Sequence, residues 1–592
     1  YESSHKNYDL AIPFIERGYS LLRKNGELGF IVTKKWMKAD YGEKLREILS
    51  RERAVRLIID FGDEQVFKGA TTYTMILVLR KAKNEKFTYA KVEELKESIE
   101  QLRAVHEPER WREERISVLE VPEEELSEKP WVFLTEGERE IVKKVYEGNV
   151  RLIDLTSSIF QGLATSADKV YHLIYQGEDE KYFIVLSNST GKAYRIEKDL
   201  LKPLASGENV KAFIVVPSDK LLLFPYEPDD DGIYHLIPED TFKQKYPNAW
   251  KYLLENREIL ENRERGKMKD RSDWYGYIYP KNLEKHVMEK MLVPRLVSDL
   301  RIAYDQEGKY YVDNVDVNGI ILKDRELYPL VLGLLNSSLL NYIFKQNSVE
   351  FASGYYSANK QFIKDLPIKL PQTDEEKALA EEIEVTVEEI LDLLKKHYLV
   401  KSLWEEWSEK LGNKKLTLRK LIEKWEKGVG RLPQEKLFFT NVRIISDEET
   451  EYDGFEPELK DGTLRLLGRV GDILTPVLEL EGKEELLEHV YLSILSLLES
   501  RRKSKTLGDI LSKTTVPTID GSPAETERIT AIVKEKANAK HLTSFLGLVR
   551  ENEAYLDALV FRLYGLSAED ARIVLESLGK SQDYIDSVIE HL

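Results

Sequence analysis

Within the first eighty residues the spacing of apolar side chains switches repeatedly between two periods, and this alternation restricts the fold more than any other feature. From Asp9 to Lys24 apolar residues recur at helical spacing (Leu10, Phe14, Ile15, Leu21, Leu22), and the pattern stops at Asn25-Gly26, a helix terminator. Leu28-Gly-Phe-Ile-Val-Thr33 is then a short apolar run of strand type, and Tyr41 to Ser50 is helical again. Val55-Arg-Leu-Ile-Ile-Asp60 and Tyr73-Thr-Met-Ile-Leu-Val-Leu79 are two further buried strands. Strands separated by helices imply an α/β sheet. No helical pattern lies between the last two strands, so they are expected to form an antiparallel hairpin at the sheet's edge.

Composition sets the outer limits. A chain of 592 residues is long enough for three or more domains, and 42% hydrophobic with 33% charged residues is too apolar for disorder. No stretch approaches the roughly 18 uncharged apolar residues of a membrane span. The absence of cysteine removes disulfides, thiolate zinc sites and thiol nucleophiles, and the nine histidines are too scattered to read as a metal site. A net charge of −17 argues against the whole molecule binding nucleic acid nonspecifically, while leaving room for a local basic cleft. The start, Tyr1-Glu-Ser-Ser-His, carries neither an initiator Met nor a signal peptide, so a cytoplasmic protein with a missing front end is expected.

Patterning changes along the chain predict four parts and a multidomain fold of α/β plus α+β type. Residues 1–82 form the α/β part, and residues 83–129, dominated by charge as in Glu123-Glu-Glu-Leu-Ser-Glu-Lys129, read as a linker carrying one polar helix. Residues 130–372 mix short strands, many tyrosines and turn dipeptides such as Asp231-Gly232 and Asn318-Gly319, which suits an α+β module. Residues 373–592 read as mostly helical, with a strand-like island from Leu437 to Glu479.

Several of these segments, taken in order, resemble a known family. The helix with Phe14 and Glu16, the strand Gly26-Glu-Leu-Gly-Phe-Ile-Val32, the helix Tyr41-Gly-Glu-Lys-Leu-Arg46, and Ile59-Asp-Phe-Gly-Asp-Glu-Gln-Val-Phe-Lys-Gly-Ala-Thr-Thr-Tyr-Thr-Met-Ile-Leu-Val-Leu79 look like the later motifs of gamma-class N6-adenine DNA methyltransferases. The likeness is greatest to type IIG restriction-modification and phage-defence methyltransferases. It implies that residues 1–82 are the C-terminal half of a Rossmann-like sheet that uses S-adenosylmethionine to methylate an adenine flipped out of double-stranded DNA. By the resemblance, Phe67 is the ring that stacks on the extruded adenine, replacing its lost neighbours, and Phe14 packs against the adenine of the cofactor. From pattern alone, either ring reads as an ordinary core residue. The family's Gly-rich cofactor loop and Asn-Pro-Pro-Tyr tetrapeptide should precede this region, and no Pro-Pro dipeptide occurs anywhere in the chain.

Further segments resemble the family's target-recognition domain: Ser158-Ile-Phe-Gln-Gly-Leu-Ala-Thr-Ser-Ala-Asp-Lys-Val-Tyr171, Leu200-Leu-Lys-Pro-Leu-Ala-Ser-Gly-Glu-Asn-Val210, Leu223-Phe-Pro-Tyr226, and Leu335-Asn-Ser-Ser-Leu-Leu-Asn-Tyr342 through Leu366-Pro-Ile368. Arg263, Arg265, Lys267, Lys269 and Arg271, followed by Trp274, Tyr275, Tyr277 and Tyr279, place cations beside aromatics as DNA contact requires, although a run of this kind also reads as a solvated face. Tyr355, Tyr356 and Lys360, in Gly354-Tyr-Tyr-Ser-Ala-Asn-Lys360, form a second candidate DNA-facing loop or an ordinary turn. Asp472 with Glu481-Gly-Lys483 imitates a nuclease pattern built from residues too common here to count. Three readings follow. The chain is part of a site-specific adenine methyltransferase, or a DNA-specificity module without activity of its own that a segment or subunit outside it completes, or a fused nuclease-methyltransferase whose nuclease has been truncated away.

Overall fold

A computed structural model describes residues 1–4, 8–62, 66–67, 73–92, 116–351, 354–410, 415–426, 439–470, 473–482, 484–499, 505–517 and 542–592. Contacts divide the chain into two units, Tyr1–Val387 with Leu559–Val574, and Glu388–Ala558 with Leu575–Leu592. The expected boundary at 372/373 therefore moves into the helix Asp374–Lys410, whose first turns belong to the first unit.

The first unit opens with helix α1 (Ala11–Leu21), strand β1 (Glu27–Thr33), helix α2 (Glu43–Arg51) and strands β2 (Val55–Asp60) and β3 (Thr74–Arg80). The expected hairpin is present, since β2 and β3 pair antiparallel, but β3 does not edge the sheet. It lies between β1 and β2, antiparallel to both. The segment expected as a charged linker supplies two more strands, β4 (Lys86–Val92) and β5 (Ile116–Pro122), giving the order β1-β3-β2-β4-β5 with β4 parallel to β2. Charge disguised them. Lys86, Lys91 and Glu120 occupy exposed positions, while Phe87, Tyr89 and Val121 between them are buried in the core. The polar helix expected in this stretch falls outside the described residues.

One face of the sheet is covered by α1 and α2 through Ile12, Ile15, Leu45, Leu49, Ile58, Met75, Leu77 and Phe87. Gly18 permits the α1 contact, because a Cβ there would stand 2.7 Å from the Leu28 side chain. The face of α1 that enters this core is Ile12, Ile15 and Tyr19; Leu10, Phe14 and Leu21, grouped with Ile15 by the sequence pattern, are exposed. β1 ends the sheet, and its Ile31 also faces solvent.

Glu123, in the turn after β5, ties the supposed linker to β2 by accepting a hydrogen bond from the Val55 N–H at 2.6 Å, and its other oxygen has no partner. Burial pushes its carboxyl up to about 8, against opposing pulls from that N–H and from Arg53. Between the ordinary glutamate value and about 8 the folded protein holds a proton that the unfolded chain has released, so this group's contribution to stability falls as pH rises through that window. Glu123→Gln, which mimics the protonated form, is therefore expected to unfold at a higher temperature than the wild type at pH 8 and at nearly the same temperature near pH 4.5. A gap that did not widen with pH would show that the carboxylate is tolerated in its ionised form.

The remainder of the first unit is α+β, as expected. A six-stranded sheet, Ala193–Glu197, Tyr182–Ser187, His172–Glu178, Lys220–Leu223, Leu201–Ala205 and Tyr311–Val312, packs on helix Pro247–Glu255 through an aromatic core that includes Phe224, Tyr226, Phe242, Trp250, Trp274, Tyr275 and Tyr277. A four-stranded sheet joins Ala303–Asp305, Lys290–Pro294, Val317–Leu322 and Thr156–Gln161. Strands Leu296–Val297, Tyr355–Ser357 and Glu350–Phe351 form a small third sheet.

In the second unit most of the described residues are helical, but the helices pack around a sheet. The strand-like island becomes an antiparallel sheet of Asn441–Ile444, Ile473–Glu481, Thr463–Val470 and Gly454–Lys460. With helices Leu418–Glu426, Glu484–Glu499 and Leu507–Lys513 it encloses its own core of Leu421, Leu464, Leu466, Leu478, Leu480, Leu487 and Ile510, so this unit is α+β. Asp472 and Lys483 of the discounted nuclease pattern lie outside the described residues.

Candidate nucleic-acid interface and base-stacking site

β2 ends at Asp60, a buried carboxylate that accepts from the Gly62 N–H (2.9 Å), the Lys34 ammonium (2.8 Å) and the Tyr89 hydroxyl (3.2 Å). Burial, with the Asp60 charge adding to it, holds the Tyr89 hydroxyl well above its ordinary range, so it stays a donor. Past this knot, Phe61 is buried and Val66 packs against the Ile59, Phe61, Ala90, Val92 and Ile116 cluster. Phe67, next in line, is 47% exposed, so the ring is not a core residue. Phe14 is 68% exposed on the outer face of α1. Neither ring has taken the bland position that pattern alone assigned.

The structure also brings together residues that sequence reasoning did not. Lys34 leaves β1 to reach Asp60 and stands 3.9 Å from Glu350, in the small sheet of the recognition region. Lys38 donates to the Ser348 carbonyl at 2.8 Å and the Lys345 carbonyl at 3.3 Å, capping the end of helix Ser338–Asn347. Burial, reinforced by the Lys34 charge, draws the Lys38 ammonium down to about 8. Lys35 lies 5.2 Å from the centre of the Phe351 ring, and Tyr73 meets the same ring edge-on at 6.5 Å. The strand end that leads to Phe67 and the hairpin carrying Tyr355 and Tyr356 are thus joined through Lys34, Lys35 and Lys38. The visible signal was Lys34-Lys-Trp-Met-Lys38, three lysines at the carboxyl end of a strand.

Of that hairpin, Tyr355 is exposed, while Tyr356 donates to Glu350 Oε1 at 3.3 Å and lies under Lys345. Lys360 is exposed at the start of the short helix Lys360–Ile363.

The basic run divides, and one member is corrected. Arg263 is 5% exposed and donates to the carbonyls of Leu260 (2.7 Å), Thr165 (2.9 Å), Trp274 (2.6 Å) and Gly276 (2.9 Å). Its planar fork of donors is consumed inside the protein, so it cannot meet a phosphate. Trp274, Tyr275 and Tyr277 are core residues as well; of the aromatics that follow the run, Tyr279 is exposed. Arg265, Lys267, Lys269 and Arg271 are exposed. Lys267 is engaged by Glu264 (3.5 Å) and Tyr279 (3.1 Å), and Arg271 holds Asp273 through two bonds of 2.8 Å. The run sits beside the six-stranded sheet, away in sequence and sheet from the Tyr355 hairpin.

Residues 1–67 match the Eco57I restriction-modification methylase family, and residues 203–368 match the TaqI-like C-terminal specificity domain. Sequence similar to a restriction-modification methylase thus precedes sequence similar to a specificity domain in this chain. It is similar to RM.Eco57I, a type II restriction enzyme and methyltransferase of Escherichia coli, at 27% identity over 53% of this chain and 30% of that protein. It is also similar to the type II methyltransferase M.BstVI of Geobacillus stearothermophilus, at 24% identity over 66% of this chain and 67% of the other. The chain therefore spans 30% and 67% of the lengths of these two relatives. Among solved structures, the type IIL restriction-modification enzyme MmeI, in complex with DNA, aligns over 65% of this chain and 43% of its own, at 10% identity and a TM-score of 0.40. Among the described residues no helix is long and apolar enough to cross a membrane.

Proposed function

We propose that this chain provides base stacking and sequence choice for an S-adenosylmethionine-dependent N6-adenine DNA methyltransferase of a restriction-modification or phage-defence system. The observation that carries the reading is the exposure of Phe67, at the end of the stretch matched to the methylase family, in a module tied by Lys34 and Lys38 to the recognition region. A flipped adenine has lost its stacking neighbours, and an aromatic face standing clear of the core can replace them. S-adenosylmethionine would supply the methyl group. Of the residues present, Phe14 fits its adenine, because the ring projects from α1 into open space. Lys34 and Asp60 fix the carboxyl end of β2, so the following residues start from a defined point. Tyr355, Lys360, Arg265 and Lys269 would meet the DNA, while Lys267 and Arg271 are engaged by acidic neighbours.

The second reading, a specificity module completed by another polypeptide segment, is favoured by two observations. No Pro-Pro dipeptide exists in the chain to form the amine-orienting tetrapeptide. In addition, β1 is an end strand flanked by exposed Leu10, Phe14, Leu21 and Ile31, an apolar margin on which further strand and helix could pack. A nuclease joined to the methyltransferase is the third reading, suggested by the name of RM.Eco57I. Incubation of the chain with methyl-labelled cofactor and genomic DNA separates them. No incorporation is expected from the chain alone, and incorporation at adenine N6 is expected once the remaining methyltransferase segment is supplied. Labelling of cytosine would overturn the adenine reading, and labelling by the chain alone would overturn the need for a second segment.

A further inference from the structure

The cations of the basic run are not equivalent, and the backbone that presents them is unusual. Glu264 and Arg265 both adopt left-handed conformations (φ 47° and 65°), followed by Gly266 at 83°, and Asp270 does so again at 59°. Non-glycine residues remain in this region only where their surroundings impose it. Here the surroundings are visible. Arg263 grips four carbonyls beneath the turn, drawing together Leu260, Thr165, Trp274 and Gly276. From the side, Glu264 accepts from the Tyr279 hydroxyl at 2.8 Å and from Ser166 Oγ at 3.3 Å, and Ser166 is itself left-handed at φ 55°. Two loops distant in sequence are locked into one rigid ledge.

On that ledge the charges are sorted. Lys267 is neutralised by Glu264 and covers the Tyr279 ring at 4.3 Å, and Arg271 is chelated by Asp273. Arg265 and Lys269 are exposed and have no acidic partner among the described residues. Unlike Lys267 and Arg271, these two are held by no carboxylate among the described residues, and the left-handed turn at Glu264, Arg265, Gly266 and Asp270 carries them. We propose that Arg265 and Lys269 make sequence-independent contacts to the phosphate backbone of double-stranded DNA, with Arg263 as the buried residue that positions them. The assignment rests on the DNA-binding reading given above and deepens it: this ledge sets affinity and register, and base reading lies elsewhere, on groups such as the Tyr355 hairpin. Pre-shaping the turn lowers the ordering cost of binding, which is the use to which a strained, over-determined loop can be put.

The test needs no knowledge of the recognised sequence. Binding of the full chain to a labelled duplex of arbitrary sequence is followed by fluorescence anisotropy between about 50 and 200 mM salt, where each neutralised phosphate contributes a slope of about −0.9 to log K against log salt. The double variant R265A/K269A is expected to flatten the slope by about 1.8 relative to the wild type, while K267A/R271A leaves it unchanged. All four side chains are exposed, so both variants should keep the wild-type unfolding temperature, which is measured alongside. An unchanged slope in R265A/K269A, or equal flattening in K267A/R271A, overturns the assignment. Failure of the wild type to bind any duplex at low salt instead removes the DNA-binding reading itself, and the assignment with it.

Discussion

Replacing Asp305 with alanine is expected to destabilise the recognition region by about 3–5 kcal/mol, the usual consequence of stranding one member of a buried ion pair. Lys290 and Asp305 face each other in register on antiparallel strands, and their side chains are 0% and 3% exposed. The Lys290 ammonium donates to Asp305 Oδ2 (2.6 Å) and to the carbonyls of His286 (2.6 Å) and Met288 (3.2 Å). The carboxylate also accepts from the backbone N–H groups of Lys309 and Tyr310, each at 2.9 Å. Alanine would leave a cation in a site where burial already disfavours its charge, and two N–H groups without an acceptor. Amide exchange of strand Lys290–Pro294 reads the effect locally, which suits a chain of several cooperative units better than a single melting curve. The paired change Lys290→Met with Asp305→Asn removes both charges and keeps an acceptor for one of the two N–H groups, so part of the loss should be recovered. A loss below about 1 kcal/mol for Asp305→Ala would mean that water or a shifted Lys290 reaches this site.

The second large effect concerns catalysis in a complete enzyme containing the Asn-Pro-Pro-Tyr segment. Phe67→Ala is expected to lower the single-turnover methylation rate roughly 5- to 150-fold, the equivalent of the 1–3 kcal/mol that one base–aromatic stack contributes. Duplex affinity should change little, because on the proposed reading the ring would meet DNA only once a base has left the helix. Placing a mismatch opposite the target adenine lowers the cost of extrusion and should shrink the defect. Phe67→Trp should retain most of the rate. Because Phe67 is exposed, the alanine variant removes little packing and should fold normally. A wild-type rate in Phe67→Ala would end the base-stacking assignment.

Much of the α/β part was legible in the sequence because its strands are runs rich in apolar, β-forming residues, central as in β2 and β3 or at the edge as in β1. The expected strand Val55–Asp60 and the observed β2 coincide, and β1 and β3 agree with expectation to within a residue at either end. The island between the C-terminal helices was visible for a similar reason, although not its role as the centre of a separate core. β4 and β5 were hidden because their charged residues occupy the exposed positions of each strand, and a local count of charge cannot tell a solvated linker from a half-covered strand. The site divides in the same way. The family resemblance pointed to Phe14 and Phe67, which pattern alone would have placed in the core, but their exposure depends on which face of α1 meets the sheet and on Val66 packing against the cluster just before Phe67.

Charge was where sequence reasoning failed most. Arg263 and Arg265 are neighbours in one basic run, yet one is sealed against four carbonyls and the other stands in solvent. Lys38 and the Ser348 carbonyl it caps are 310 residues apart. Whether a cation is a strut or a contact is decided by which carbonyls and carboxylates the folded chain brings to it. That information belongs to pairs of distant residues, whereas periodicity belongs to neighbours: the sequence alone determined the apolar strands and most of the helices, and the tertiary structure decided which charges were buried, paired or left exposed.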